Sequence, residues 1–175
     1  MTETISHIAI KQLNPLVKDN YYNALKGVKF SVDEDSCLII KADYLSETIM
    51  TNDVVELINE EQFIWKGRKD NVVISGGLKL YPEIIEQKLS QVINDEYFIT
   101  GIEDELLGKK LCLVIEKDSV IDSDYTLDKI KKYLDKYEIP KLVYGITQFE
   151  RTETGKVKRA ETLEQVLENN KQSVI

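Results

Sequence analysis

Lys156 stands in a polar run, Thr152-Glu153-Thr154-Gly155-Lys156-Val157-Lys158-Arg159, where a glycine beside a lysine gives mobile backbone to a compact ammonium that can reach into a site as a point charge. Asp53, in Thr51-Asn52-Asp53 directly before the apolar Val54-Val55, sets a carboxylate at the mouth of a strand, where its oxygens can accept from both hydroxyls of a ribose. At the amino terminus Thr2-Glu3-Thr4 places two hydroxyls beside a carboxylate, a set able to hydrogen-bond a phosphate oxygen while holding a hard cation. A longer run from Gly67 to Glu86 carries the pair Gly76-Gly77, and without a Cβ such a hairpin lets backbone approach a ligand closely. Each has a plain alternative: a solvated basic loop, an Asn-Asp turn, a frayed end, an ordinary tight turn. His7, the one histidine, has no carboxylate or nucleophile beside it at a recognisable spacing and reads as a pocket or surface residue.

Positioning these groups needs elements, and the pattern changes along the chain. Val28 to Val32, Cys37 to Ile40 and Asp53 to Ile58 are short β-branched and apolar runs separated by Asp, Glu and Ser, which predict antiparallel strands. Phe63 to Lys66 and Asn71 to Ile74 continue them across Gly67-Arg68-Lys69-Asp70. After Gly77 the period lengthens. Pro82 suits a first helical turn, and Ile85, Leu89 and Val92 follow at helical spacing, predicting a helix to about Ile93. Tyr97 to Gly101, Leu111 to Ile115 and Leu142 to Phe149 read as strands. A second helix is expected from a Thr126 cap through Ile130 and Leu134 to just before Pro140, and a third from about Ala160. The fold class is therefore α+β: a small mixed sheet-and-helix carboxy-terminal domain over 69–175, preceded by a short antiparallel β segment over 1–68.

Composition narrows the function. The 175 residues carry a formal charge of -8 with acidic groups scattered along the chain, which argues against a nucleic-acid partner. The longest apolar run, Leu111 to Ile115, is far short of a membrane span, so no membrane span is expected and a cytoplasmic location is the default. Cys37 and Cys112 each sit in an apolar strand-like run and read as buried thiols rather than a disulfide.

Taken in order, Gly-Arg-x-Asp at Gly67 to Asp70, Ile-Ser-Gly-Gly at Ile74 to Gly77, Pro-x-x-Ile-Glu at Pro82 to Glu86 and Thr-Gly-Lys-Val-x-Arg at Thr154 to Arg159 resemble the adenylate-forming superfamily of acyl-CoA synthetases, peptide-synthetase adenylation domains and luciferases. Within it, Met1 to Ala9 most resembles the o-succinylbenzoate-CoA ligases of menaquinone biosynthesis. The resemblance implies a carboxy-terminal portion of an AMP-forming acid–thiol ligase using ATP, Mg²⁺ and CoA on a small-molecule carboxylic acid. It implies roles as well. Thr2 would contact the adenylate phosphate, Glu3 would hold Mg²⁺, and Asp53 with Arg68 would bind the nucleotide. Asp70 would be the hinge of a mobile small domain, Gly76 and Gly77 would line the CoA channel, and Lys156 would be catalytic.

Two positions depart from the usual pattern: Asn52 stands where the family commonly has Gly, and Glu150 where a proline is common. The family's Ser/Thr/Gly-rich phosphate loop is missing, so the chain alone is expected neither to adenylate nor to bind ATP tightly, and self-association of the fragment is expected to be possible through apolar surface between Val28 and Ile58. Two alternatives stay open: another aryl- or fatty-acyl-CoA ligase of the superfamily, and a binding module without chemistry.

Overall fold

A computed structural model of the chain describes residues 7–12, 20–118 and 121–172. The chain divides into two compact units, Met1–Asn71 and Val72–Ile175.

The first unit is a sheet of six antiparallel strands in the order β1-β2-β6-β5-β4-β3, with β1 at Ala9–Ile10, β2 at Tyr22–Ala24, β3 at Val28–Val32, β4 at Cys37–Ala42, β5 at Ile49–Asn59 and β6 at Gln62–Arg68. Strand β3 shows why the sequence forms it. Val28 and Phe30 are buried while Lys29 and Ser31 face outward, the period-two alternation of a half-covered sheet. Val28, Phe30, Leu38, Ile40, Val55 and Phe63 form the core. Phe63 anchors it, stacked on Tyr22 at 5.2 Å between centroids and met edge-on by Phe30 at 4.9 Å. Strands β1 and β2, with two and three residues, are too short for a hydrophobic period to show.

The second unit is mixed. Strands β7 (Val73–Ser75), β8 (Leu78–Leu80), β9 (Tyr97–Asp104), β10 (Gly108–Glu116) and β11 (Leu142–Ile146) make a five-stranded sheet in which only β10 and β11 pair in parallel. Helix α2 (Ser123–Ile130) lies in the crossover between those two strands, and α1 (Pro82–Leu89) and α3 (Arg159–Gln172) complete the unit. Central β10 explains the unbroken apolar run of the sequence. Leu111, Leu113 and Ile115 pack with Ile85 and Leu89 of α1 and Ile130 of α2, while Cys112 and Val114 point the other way, toward Phe149 and Val166. Both faces are covered, so both phases of the strand are apolar. Cys37 and Cys112 are buried free thiols. Among the described residues no helix is long and apolar enough to cross a membrane.

Several element ends differ from expectation. Helix α1 stops at Leu89, where the N–H groups of Val92 and Ile93 both turn back to the Leu89 carbonyl, at 2.8 and 3.0 Å. The cap of α2 is Asp122 and not Thr126: Asp122 Oδ1 accepts from the Tyr125 N–H at 2.9 Å, and Thr126 lies inside the helix with its hydroxyl on the Asp122 carbonyl. That helix ends at Ile130, and Leu134 reaches the core from the turns beyond. Strand β11 ends at Ile146, short of Phe149, whose N–H is taken by the Glu116 carboxylate at 2.7 Å.

Candidate functional site

In the first unit a bulge assembles the groups around Asp53. Asp53 of β5 lies opposite Arg68 of β6, Val54 opposite Gly67, and Val55 opposite Trp65, so Lys66 is the extra residue. One extra residue resets the alternation and brings Trp65 and Arg68, three apart, onto the face that holds Asp53. Gly67, at φ 149°, supplies the unusual backbone the bulge needs. The Trp65 indole N–H donates to Asp53 Oδ1 at 3.1 Å, and Arg68 Nη1 lies 3.7 Å from the same oxygen. The Asp53 N–H in turn donates to the Thr51 hydroxyl, which is fixed on the Leu38 carbonyl. Asp53, Trp65, His7, Tyr22 and Phe63 line a cavity of about 340 Å³. An acceptor-only carboxylate beside flat aromatic rings suits a ligand with hydroxyls on one part and an apolar face on another.

The structure brings Asp53 and Arg68, both singled out in the sequence, together with Trp65, which was not. The bulge hid it, because a regular strand would send residues 65 and 68 to opposite faces. Thr2 and Glu3 lie outside the described residues. Among the described residues no cluster of His, Cys, Asp or Glu has the geometry to hold a metal ion. Asp70 is exposed in one turn of 3₁₀ helix, Lys69–Asn71, at the end of the first unit.

In the second unit Gly76 and Gly77 form the whole turn between β7 and β8, with φ of 55° and 82°. Two successive positive φ values make the two-residue turn whose twist matches a hairpin, and glycine adopts it without strain. The Gly76 N–H is held by the Leu107 carbonyl at 2.9 Å.

Lys156 projects from a closed loop. Its base is the bridge between Arg151 and Val157, the Thr152 N–H donates to the Lys156 carbonyl at 2.8 Å, and the Lys156 N–H donates to the Thr152 hydroxyl at 3.1 Å. The lysine is exposed and its ammonium has no partner among the described residues. At either end of the loop an arginine is engaged. Arg151 Nη2 lies 2.6 Å from both Glu96 and Glu116, and these hydrogen bonds raise its already high pKa. Arg159 pairs with Glu86 at 2.9 Å and donates to the Ile99 carbonyl at 3.2 Å. Burial pushes the Glu86 carboxyl above its usual range, against the pull of Arg159 and of the Ile99 N–H. A larger cavity of about 1090 Å³ opens beside β11 and α3, lined by Tyr144, Thr147, Arg151 and Gln165 among others. Lys156 is not part of it.

No family model matches the chain. It is 29% identical over 131 residues, 71% of this chain, to a Staphylococcus aureus protein assigned as a long chain fatty acid-CoA ligase, VraA, and covers 29% of that protein. It is 31% identical over 124 residues, 67% of this chain, to the 2-succinylbenzoate–CoA ligase of a Geobacillus strain, covering 25% of it. Its fold is similar to that of o-succinylbenzoate Coenzyme A synthetase (MenE) from Bacillus subtilis, solved with ATP and magnesium ion, with a TM-score of 0.77 at 21% identity over 93% of this chain and 40% of that one. The chain thus spans between a quarter and a third of the length of the curated relatives named here.

Proposed function

Because the chain fits a carboxy-terminal portion of the adenylate-forming acyl-CoA ligase superfamily, we propose that it serves, within a longer polypeptide, an AMP-forming ligase that activates a carboxylic acid with ATP and passes it to CoA. The observation that carries this reading is the Lys156 ammonium, exposed and without a partner among the described residues, on a hydrogen-bonded loop. Adenylation brings a carboxylate against the α-phosphate of ATP, so two anions must approach, and a cation between them lowers the barrier. Lys156 supplies that charge. Asp53, oriented by Trp65, accepts from the ribose hydroxyls, with Arg68 beside it. Mg²⁺, when bound, neutralises phosphate charge, and Glu3 is its expected ligand. The thioester-forming half needs the lysine withdrawn and a passage for the CoA thiol, a role suited to the Gly76-Gly77 backbone, where no Cβ narrows the approach. Motion about Asp70 would alternate the two halves.

The acid we propose is o-succinylbenzoate, supported by the likeness to 2-succinylbenzoate–CoA ligase. A fatty acid is the second reading, favoured by the likeness to VraA. AMP release by the complete polypeptide, given ATP, Mg²⁺ and CoA with o-succinylbenzoate or a panel of aryl and fatty acids, separates them. Turnover selective for o-succinylbenzoate is expected. Lys156→Ala should lower adenylation on the order of 10²- to 10³-fold, while conversion of a supplied acyl-adenylate to thioester stays within a few-fold. AMP release from no acid would leave a binding module as the remaining reading.

A further inference from the structure

We propose that Arg151 and Arg159 are positioning residues that clamp the Lys156 loop at both ends, so that the lysine is carried on a preformed loop and not on one that orders around its substrate. The inference rests on the role given to Lys156 above.

The two arginines are each held by carboxylate and carbonyl oxygens. Arg151 enters the loop and is held by Glu96 and Glu116, each at 2.6 Å, while its other guanidinium nitrogen reaches the Gly155 carbonyl at 3.4 Å. Arg159 leaves the loop and is held by Glu86 and the Ile99 carbonyl, at 2.9 and 3.2 Å. Each guanidinium also lies over a phenylalanine, Arg151 over Phe149 at 5.7 Å and Arg159 over Phe98 at 5.6 Å. Those two rings are buried and pack edge-to-face at 5.1 Å, so both clamps are seated on one aromatic pair in the core. The acids that hold the arginines come from α1, β10 and the turn before β9, which makes the seat independent of the loop itself.

Between the clamps the loop is held by the Arg151–Val157 bridge, by hydrogen bonds centred on Thr152 and by Val157 against the core, while among the described residues its tip makes no contact with the sheet or helices that would fix its direction. Glu153, Thr154, Gly155 and Lys156 are exposed, and Gly155 sits at φ 82° with open space where a Cβ would stand. Water competes for the few hydrogen bonds within the loop, so these alone leave a chain of this kind free to sample many shapes. Fixing both ends removes that freedom. A catalytic charge misplaced by an ångström can cost on the order of 10²-fold in rate, so a residue that never touches substrate can matter nearly as much as one that does.

The test has two independent readouts. In the 175-residue chain, backbone order parameters for residues 152–157 should be near the rigid value of about 0.85 and fall below about 0.6 in Arg151→Gln and in Arg159→Ala, with β9 and β10 unchanged. Arg159→Lys, which keeps the charge but not the fork, should fall between. In the complete polypeptide, pyrophosphate exchange should drop tenfold or more in both variants with the KM for ATP nearly constant, while thioester formation from supplied acyl-adenylate is spared. Loop order unchanged in both variants would overturn the clamp, as would equal loss of both half-reactions. If the unaltered polypeptide shows no exchange at all, the ligase reading fails instead, and the order parameters still decide whether the clamp exists.

Discussion

Cys112 shows how strongly a side chain's chemistry follows its place. It sits at the centre of β10 with no measurable exposure, and burial pushes its thiol up to about 12. The folded protein therefore keeps a proton that the unfolded chain releases at an ordinary thiol pKa near 9.0. With more protons bound in the folded state, stability must decline as pH rises through that window. Chemical unfolding between pH 8 and 10.5 should show this decline, and Cys112→Val should make it shallower, the remainder coming from other groups raised in the folded state such as Cys37 and Tyr97. At pH 8 iodoacetamide should leave Cys112 untouched until the second unit unfolds; rapid labelling under native conditions would contradict its burial. At the same scale, sequence legibility depended on whether a residue acts alone or through a contact. Lys156 and Asp53 were singled out by the order of the motifs around them, since type and neighbours alone left a basic loop and an Asn-Asp turn as plain alternatives. Trp65, Glu86 and Arg159 were not assigned their contacts, because those depend on a bulge or on the meeting of α1, β9 and α3, and nothing local encodes either.

Elements were legible where a period had room to repeat. Leu111 to Ile115 and the Ile85-Leu89 spacing located β10 and α1 directly, whereas helix ends were set by competing hydrogen bonds, as at Asp122 and Leu89. The β7–β8 hairpin gives the sharpest prediction at this scale. A Cβ on Gly77 would meet nothing within 4 Å, so Gly77→Ala isolates the backbone cost of a positive φ, about 1–2 kcal/mol. At Gly76 the added methyl would also lie 3.3 Å from Leu107, so Gly76→Ala should cost at least as much. Denaturant unfolding measures both, and Gly77→Asn, which tolerates this backbone better, should recover part of the loss. A second element-level feature is the free edge of β9. Its Ile99 N–H and carbonyl are occupied by Glu86 Oε1, at 2.7 Å, and by Arg159, so the ion pair that seats the loop also blocks that stretch of strand from pairing with another chain.

At the scale of the molecule, Val72–Ile175 has a sheet with apolar packing on both faces and helices contributed from within its own span. Residues 72–175 produced alone should therefore melt cooperatively. A non-cooperative melt would mean that the core needs residues from the first unit. The α+β class was legible in the sequence because strand-like runs precede the first helical period.

Trp65 is the only tryptophan, and it belongs to the first unit, whereas α1, α2 and α3, the α-helices of the described residues, all belong to the second. The chain is therefore dichroic in a practical sense. Indole emission, excited beyond the tyrosine band, reports on the strands around Asp53 alone, while the helical ellipticity of the far ultraviolet reports chiefly on the unit that carries Lys156. One unlabelled sample, followed by both signals during a single titration, gives two separate unfolding curves.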